Sequence, residues 1–468
     1  MQLLHAAAKT NAVFDDPNLL SHAGLAPAMA LAGRAGLSAL TAAHVRPGGD
    51  AAANPALKVA CLVAGMAAGA DSIDDMGLLR HGAMETVFGG IRAPSTLGSF
   101  LRTFTWGNVR QLGKVHREFL TALAGQAPLL PGAETLTFID IDSTQERVYG
   151  YAKQGAAFGH AKVQGKSLQL KGLNPLISVI STPLAAPVTG PVRLRGGSAG
   201  SARGAASLAA EAIGTAREAG ATGMIIARFD SAFYNSAVIS AVRKNGARFS
   251  VTVPANASIR AAITAIPEDA WTAIRYPQAI WDDQLDCWIS DAEVTETGYT
   301  AFTSKKKSLQ VTARLIVRRV RARNEKAAQG QGELFPVWRY HSVFTDSPSE
   351  TIPAEEDHRD HAIAEQVIAD LNAGPLAHLP SGNFNANAAW LVIAAMAFNL
   401  LRAAGTLAGP RLARARTATI RRDLIAVAAR TARHGRGHLT LHLPECWHRE
   451  QEWLNLWDAA CGPPATAA

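Results

Sequence analysis

The chain has 468 residues, of which 48% are hydrophobic and 18% are charged. This composition excludes a disordered chain and leaves room for two or three folded domains. The formal net charge of +8 makes a polyanionic partner plausible, although many basic proteins bind no polyanion.

The cysteines and the apolar runs limit the cellular location. Cys61, Cys287, Cys446 and Cys461 form no C-x-x-C pair, so the spacing indicates neither a zinc ribbon nor a disulfide framework. A reducing cytoplasm is the simplest compartment. The runs VACLVAGMAAGA and AAWLVIAAMAF are too short to span a bilayer, so we expect buried helices, no membrane partner and no signal peptide.

The first half of the chain changes from helices to strands. Residues 1–125 are predicted to be mainly helical, because apolar residues recur at three- and four-residue spacing. Strands begin with TLTFIDID, NPLISVIST and GPVRLRGG, each bounded by Gly or Pro. Helices and strands then alternate, from GAASLAAEAIGTAREAG through GMIIARFD to RFSVTVP. This order predicts a mixed sheet covered by helices.

The second half returns from strands to helices. Residues 255–350 are predicted to be rich in strands, ending in SLQVTARLIVRRVRAR. Helices follow in HAIAEQVIADLNAGP and NAAWLVIAAMAFNLLRAAG, and the remaining segment is rich in arginine.

Two aspartates stand at the end of the strand TLTFIDID. Residues two apart in a strand lie on one face, so Asp140 and Asp142 point to the same side as Phe138. Burying a carboxylate is costly unless a cation meets it. Turn chemistry is one explanation, because the Asp and Ser of DST can bond the local backbone at a strand exit. A metal site is the other.

Two further carboxylates could complete such a site. The apolar run GMIIARF ends on Asp230, which could also cap the following helix. Ligands of open sheets gather beyond the carboxyl ends of parallel strands. Glu365 lies off the apolar stripe of its predicted helix, where it could also be a solvated side chain. Three hard oxygen ligands suit Mg²⁺ or Mn²⁺, and two such ions can promote phosphodiester cleavage.

The order and spacing of IDIDST, IARFDSAFY, AEQVIADLNAG and GNFNANAAWLVIAAMAFNLL resemble a DDE transposase of a bacterial insertion sequence. The resemblance implies an α/β fold with an RNase H-like mixed sheet flanked by helices. It also implies that Asp142, Asp230 and Glu365 form an acidic triad that binds two Mg²⁺ or Mn²⁺ ions. Asp142 is preferred because the family's ligand directly precedes a Ser/Thr pair, and Asp140 stays a rival.

The resemblance also implies a division of the chain and a set of partners. The parts are an N-terminal helical DNA-binding region (1–125), the first part of the RNase H-like core (130–254), an inserted β-rich domain (255–350), the second part of the core with the glutamate helix (351–405) and a C-terminal basic tail (406–468). The implied partners are terminal inverted-repeat DNA, target DNA and at least one further copy of the chain on DNA. The implied location is the bacterial cytoplasm.

Three departures from the family pattern leave alternatives open. Related transposases surround the glutamate with Tyr, Arg and Lys, where this chain has His358, His361 and Asn372. The missing Arg and Lys would bind DNA phosphate, unless His358, Arg359 or His361 substitutes. One alternative is a degenerate transposase that only binds DNA, and another is a related nuclease that cuts without joining.

Basic residues elsewhere are candidates for DNA contacts. Arg193 and Arg195 share a strand face beside the glycine-rich stretch LRGGSAGSARGAAS, which lacks the pattern of a nucleotide P-loop. We expect this stretch to be a turn beside the DNA. Further candidates occur in basic runs, where phosphate contact competes with simple solvation: Lys305, Lys306, Lys307, Arg318 and Arg319.

Overall fold

The computed structural model describes residues 1–150, 152–163, 166–274, 280–282, 287–289, 292–321 and 338–462. The helices are α1 (Leu25–Arg34), α2 (Leu37–His44), α3 (Pro55–Ala68), α4 (Met84–Val87), α5 (Pro94–Arg102), α6 (Trp106–Gln126), α7 (Ala205–Glu218), α8 (Ser236–Lys244), α9 (Ala257–Thr264), α10 (Thr351–Arg359), α11 (Ile363–Asn372), α12 (Phe384–Ala408), α13 (Pro410–Ala413), α14 (Thr417–Ile420) and α15 (Glu450–Cys461).

The strands are β1 (Leu19–Leu20), β2 (Leu136–Ser143), β3 (Glu146–Arg147), β4 (Ala157–Val163), β5 (Lys166–Ser181), β6 (Val188–Gly196), β7 (Met224–Phe229), β8 (Arg248–Thr252), β9 (Thr272–Ile274), β10 (Ile280–Asp282), β11 (Cys287–Ile289), β12 (Ala292–Ala301), β13 (Val311–Arg321), β14 (Trp338–Thr345), β15 (Ala429–Arg433) and β16 (Leu439–His442).

One large mixed sheet organises the described residues. Its strand order is β3-β5-β2-β7-β8-β14-β13-β12-β9, with β4 and β6 also paired to β5. The pairs β2–β7 and β7–β8 are parallel, and their neighbours β5 and β14 are antiparallel to them. Helices α7 and α11 pack on β2 and β5, while α6 and α12 pack on β6. The structure therefore confirms the predicted α/β fold with a mixed sheet flanked by helices.

The central parallel strands are apolar because helices cover them. Phe138, Ile139 and Ile141 of β2 are buried, as are most residues of β7. The register pairs Ile141 with Phe229, so β2 and β7 reach the same edge of the sheet at the same level. Side chains that follow these two strands are therefore neighbours in space.

Helix α12 is the centre of the helical part. Asn383 caps its first turn by accepting a hydrogen bond from the amide of Ala386. The helix is longer than the apolar run that the sequence suggests, and by length and composition it could cross a bilayer. Most of it is buried inside the fold, however, and contacts α3, α6 and α15. A core helix explains its apolar character.

Four of the strands between residues 255 and 350 continue the main sheet, namely β9, β12, β13 and β14, whereas β10 and β11 form a separate two-stranded sheet. Strand β14 pairs with β8, with Thr345 opposite Ser250, and β13 and β12 follow in order. The last part of the chain returns to the first, because β15 pairs with β1 and α15 packs on α1. The boundaries between the five predicted parts stay predictions.

Candidate active site

Asp142 stands at the end of β2, at the edge where the parallel strands finish. It is partly buried, and its Oδ1 accepts a 2.6 Å hydrogen bond from the amide of Ser143. Burial raises the pKa of Asp142 to about 6, and the negative charges of Asp230 and Glu365 add to this rise. The Ser143 amide and His361 act in the opposite direction. Asp142 is thus a destabilised carboxylate among other carboxylates.

Asp230 is the second member of this group. It directly follows β7, and its Oδ1 accepts a 3.0 Å hydrogen bond from the amide of Ala232. It therefore caps the short 3-10 turn Ser231–Phe233, as one of the two sequence interpretations proposed. Since Ile141 and Phe229 are paired, Asp142 and Asp230 each lie one residue beyond the same rung of the ladder. Asp230 can therefore cap the turn and also belong to a site shared with Asp142.

Glu365 approaches from another element. It is an exposed residue in the first turn of α11, a helix that packs on β2 and β5. Its effect on the pKa of Asp142 places it within electrostatic range of that aspartate. The fold thus brings the three sequence-predicted carboxylates to one edge of the sheet, although they are far apart in the chain.

The oxygen donors suit a hard divalent cation, and a cation would relieve the repulsion that raises the pKa of Asp142. Within the part of the chain that the structure describes, however, no three His, Cys, Asp or Glu side chains converge closely enough to hold a metal ion. Closing such a site requires side-chain movement, for which the exposed Glu365 has the most freedom.

Asp140, the rival of Asp142, has a different environment. It is 1% exposed and receives two 2.7 Å hydrogen bonds from Arg228, one to each carboxylate oxygen. Burial raises the pKa of Asp140, and the guanidinium opposes that rise. The side chain of Arg228 also lies over the ring of Phe138, 3.9 Å from its centroid. The charge of Asp140 is therefore already balanced by the guanidinium of Arg228.

His358 was a candidate for DNA contact, but the fold buries it. Its Nδ1 and Nε2 lie 2.8 Å from the hydroxyls of Ser250 and Thr252, and the residue is 4% exposed. Burial lowers its pKa to about 3, and the positive field of His361 contributes. A buried neutral imidazole offers no charge to a phosphate, so His358 anchors α10 to β8 instead.

His361 takes the position beside the acidic group. It is half-buried, its Nδ1 lies 2.8 Å from the carbonyl oxygen of His358, and it contributes to lowering the pKa of Asp142.

Asn372, which stands at the position of the family's lysine, donates a 2.8 Å hydrogen bond to Glu146. Asn372 therefore connects the end of α11 to β3.

Arg193 and Arg195 do not project together into solvent. Arg195 is 6% exposed, and its Nη1 donates to the carbonyl oxygens of Ser201 at 2.8 Å and Arg203 at 2.9 Å. Its Nη2 donates to Asn174. Arg193 pairs with Glu211 of α7 at 2.9 Å. The predicted turn is thus held from inside by Arg195, and the structure leaves that arginine no surface for DNA.

The strand arginines are also engaged in ion pairs. Arg319 is 5% exposed, pairs with Glu268 at 2.8 Å and packs against the ring of Trp271. Arg318 and Arg359 both pair with the buried Glu355, at 3.0 and 2.9 Å. Burial excludes Arg319 from a DNA surface, and Glu355 partly neutralises the other two. By contrast, residues 305–307 are three exposed lysines.

Sequence reasoning missed Arg228. Besides Asp140, its Nη1 donates to the carbonyl oxygen of Asp357 in α10 at 2.5 Å. It therefore connects β2 and β7 to the helix that precedes Glu365. The available signal was an arginine inside the apolar run MIIARF, since a buried arginine requires an acidic partner.

Comparison with known protein families gives a match for the chain as a whole. The family described as "Transposase DDE domain group 1" matches residues 4–459, which is nearly the whole chain. No curated protein matches the chain.

Proposed function

The chain belongs to this transposase DDE domain family, and we propose that it is the transposase of a bacterial insertion sequence. In this proposal it cuts phosphodiesters at the terminal inverted repeats and joins the freed 3′-hydroxyls to target DNA. The observation that supports it most is the shared electrostatic environment of Asp142, Asp230 and Glu365 at one sheet edge.

The three carboxylates are proposed to hold two Mg²⁺ or Mn²⁺ ions. Such ions would activate the attacking water or 3′-hydroxyl and stabilise the leaving oxygen. Asp142 and Asp230 lie on neighbouring rigid strands, which suits precise placement of a scissile phosphate. Glu365, on a helix held by Arg228 and His358 through α10, would complete the group from the other side.

His361 is proposed to take over the position of the family's arginine near the phosphate, with Arg359 close to it in the chain. The Lys305–Lys307 segment is proposed to contact the DNA backbone. Arg318 and Arg193 would add to the positive electrostatic potential of the DNA-binding surface only weakly, because each of them is paired with a glutamate.

Two DNA ends have to be handled together, so at least a dimer on DNA is proposed. The proposed location is the bacterial cytoplasm.

The test is cleavage of a duplex with the sequences that flank the reading frame, in Mg²⁺ or Mn²⁺. We expect the wild type to nick the duplex at the element end and to join that end to a plasmid. We expect Asp142→Asn, Asp230→Asn and Glu365→Gln each to bind the duplex without cutting it. The matched control is Asp360→Asn, an exposed acidic residue close to the site.

Two specific observations favour a second candidate function. The residue in the position of the family's lysine, Asn372, is committed to Glu146, and no described carboxylate group converges to metal-binding distance. A degenerate transposase would bind the flanking duplex and never nick it with either metal. A nuclease that cuts without joining would release the end and yield no plasmid joint. Either result would contradict the proposed transposase.

A further inference from the structure

The loop between β12 and β13 carries an inference about the DNA path. Residues 302–310 form this loop, and Lys305, Lys306 and Lys307 in it are all exposed. Neighbouring like charges repel one another, so a loop without an anionic partner gains nothing from holding three lysines together. This loop nevertheless forms hydrogen bonds within itself and an aromatic contact with the rest of the fold.

A glutamine side chain closes the loop from within. The Nε2 of Gln310 donates hydrogen bonds to the carbonyl oxygens of Thr303 at 3.1 Å and Lys305 at 3.0 Å. The amide of Lys305 donates to the carbonyl oxygen of Phe302 at 2.9 Å, and the amide of Leu309 to that of Lys306 at 2.8 Å. Because these bonds use the backbone, the lysine ammonium groups stay available to a ligand.

An aromatic contact ties the loop to another part of the sheet. Phe302 has a φ of 61°, in the left-handed region that a bulky residue rarely adopts. Its ring packs on the ring of Tyr234 with a centroid distance of 4.8 Å. The strained backbone persists because this packing holds the ring in place. The turn Lys307–Leu309 also contacts α8, the helix that begins just after Tyr234.

Tyr234 connects the loop to the acidic group. It lies four residues after Asp230, and the capped turn Ser231–Phe233 joins the two. Four residues span about 14 Å at most, so the anchor of the loop stays close to the carboxyl end of β7. The duplex whose phosphodiester reaches Asp230 is therefore the polyanion that lies within reach of the lysines.

We propose that residues 302–310 form a phosphate clamp, a preformed surface that binds the backbone of the same DNA duplex that is cut at the acidic group. This inference rests on the proposed function and adds a defined contact surface to it. Lys305, Lys306 and Lys307 supply the charge, since lysine binds phosphate as a point charge. Tyr234, Phe302 and Gln310 are positioning residues that fix where this charge lies.

The test measures binding of the full chain to a fluorescent duplex of the flanking sequence over a series of KCl concentrations. Each lysine–phosphate contact adds about 0.9 to the slope of log K against log salt concentration. Replacing all three lysines with Gln is expected to reduce this slope by about 2 to 3. The control replaces three exposed cations near the opposite ends of β7 and β8, Arg217, Lys244 and Arg248, with Gln, and is expected to keep the wild-type slope.

A second pair of variants tests the anchor without changing charge. Phe302→Gly removes the ring and accepts the positive φ without strain, so the fold should persist while the loop is released. We expect Phe302→Gly to lose part of the slope and Phe302→Tyr to retain all of it. Thermal unfolding of both variants shows whether the fold is intact.

The clamp is overturned if the lysine variant has the same slope as its control. It is also overturned if that variant binds and cuts the end normally and fails only in joining, since the lysines would then serve target DNA. A wild type that binds but never cuts contradicts the proposed transposase, yet the slopes still decide the clamp. A wild type that binds no duplex overturns both.

Discussion

Asp140 and Arg228 lie directly opposite each other in the parallel pair β2–β7, joined by two 2.7 Å hydrogen bonds. Both side chains are almost fully buried, and Arg228 also donates to the carbonyl oxygen of Asp357 in α10. One guanidinium thus connects the strand of Asp142, the strand before Asp230 and the helix that leads to Glu365.

This pair gives the first prediction, which concerns stability. Arg228→Met leaves Asp140 as a buried carboxylate without its partner, so the free energy of unfolding should fall by about 3–5 kcal/mol. The double variant Asp140→Leu with Arg228→Met should lose less than the two single variants together, because no buried charge is left. Denaturant unfolding of all four proteins provides the double-mutant cycle. Strictly additive losses would show that the two residues are not coupled.

The second prediction concerns metal binding at Asp142. Its pKa of about 6 in the folded chain exceeds the ordinary value of 3.8 for an aspartate. The ionised group therefore costs stability above pH 6, by up to about 3 kcal/mol, and this cost disappears as the pH falls below 3.8. Asp142→Asn should raise the melting temperature in EDTA near neutral pH and abolish stabilisation by Mg²⁺. Asp140→Asn, which breaks the buried pair with Arg228, should instead lower the melting temperature.

The third prediction follows from a buried histidine in the helical part. His116 lies inside α6, and its Nε2 accepts a 3.2 Å hydrogen bond from Asn399 of α12. Burial lowers the pKa of His116 to about 3, so between pH 6.5 and pH 3 this histidine is protonated in the unfolded chain and neutral in the folded chain. This difference in protonation lowers the free energy of unfolding by about 1.4 kcal/mol for each pH unit between 6.5 and 3.

His116→Gln should remove that cost, so the stability of the variant should fall less steeply with acid than that of the wild type. The measurement is the free energy of unfolding as a function of pH. Thr189→Val is the matched control, since it loses a hydrogen bond to Asn399 without changing a titrating group. Its curve should run parallel to the wild-type curve. A parallel curve for His116→Gln would contradict the prediction.

The fourth prediction concerns the glycine-rich loop beside Asp142. Arg195 holds the carbonyl oxygens of Gly200, Ser201 and Arg203 through one nitrogen, Nη1. Lysine has a compact ammonium group and lacks the planar fork, so Arg195→Lys should loosen the loop. Trypsin should then cut after Arg203 several-fold faster than in the wild type. Arg217→Lys, which affects a guanidinium that holds the carbonyl oxygens of Ala221 and Gly223 in a different loop, should leave this cleavage rate unchanged.

Much of the candidate site was open to prediction because it depends on local patterns. Strand periodicity placed Asp142 at the exit of β2, an apolar run marked Asp230 at the exit of β7, and helical periodicity left Glu365 off the buried stripe. Such patterns extend over a few residues, and the chain itself contains them. The mixed α/β fold and the transposase family followed from the same stretches and are confirmed.

The partners of the long cationic side chains could not be predicted in this way. An arginine in a strand can face water, DNA or a buried carboxylate, and its neighbours in sequence do not distinguish these environments. Arg195 and His358 became internal supports because β5 and β8 lie beside them in the folded chain. Asp140 contacts Arg228, 88 residues away in the chain, because β2 and β7 pair in the sheet. The sequence alone thus determined the elements and where the carboxylates leave them, whereas only the tertiary structure decided which charges are buried in pairs, because pairing requires residues distant in the chain to meet.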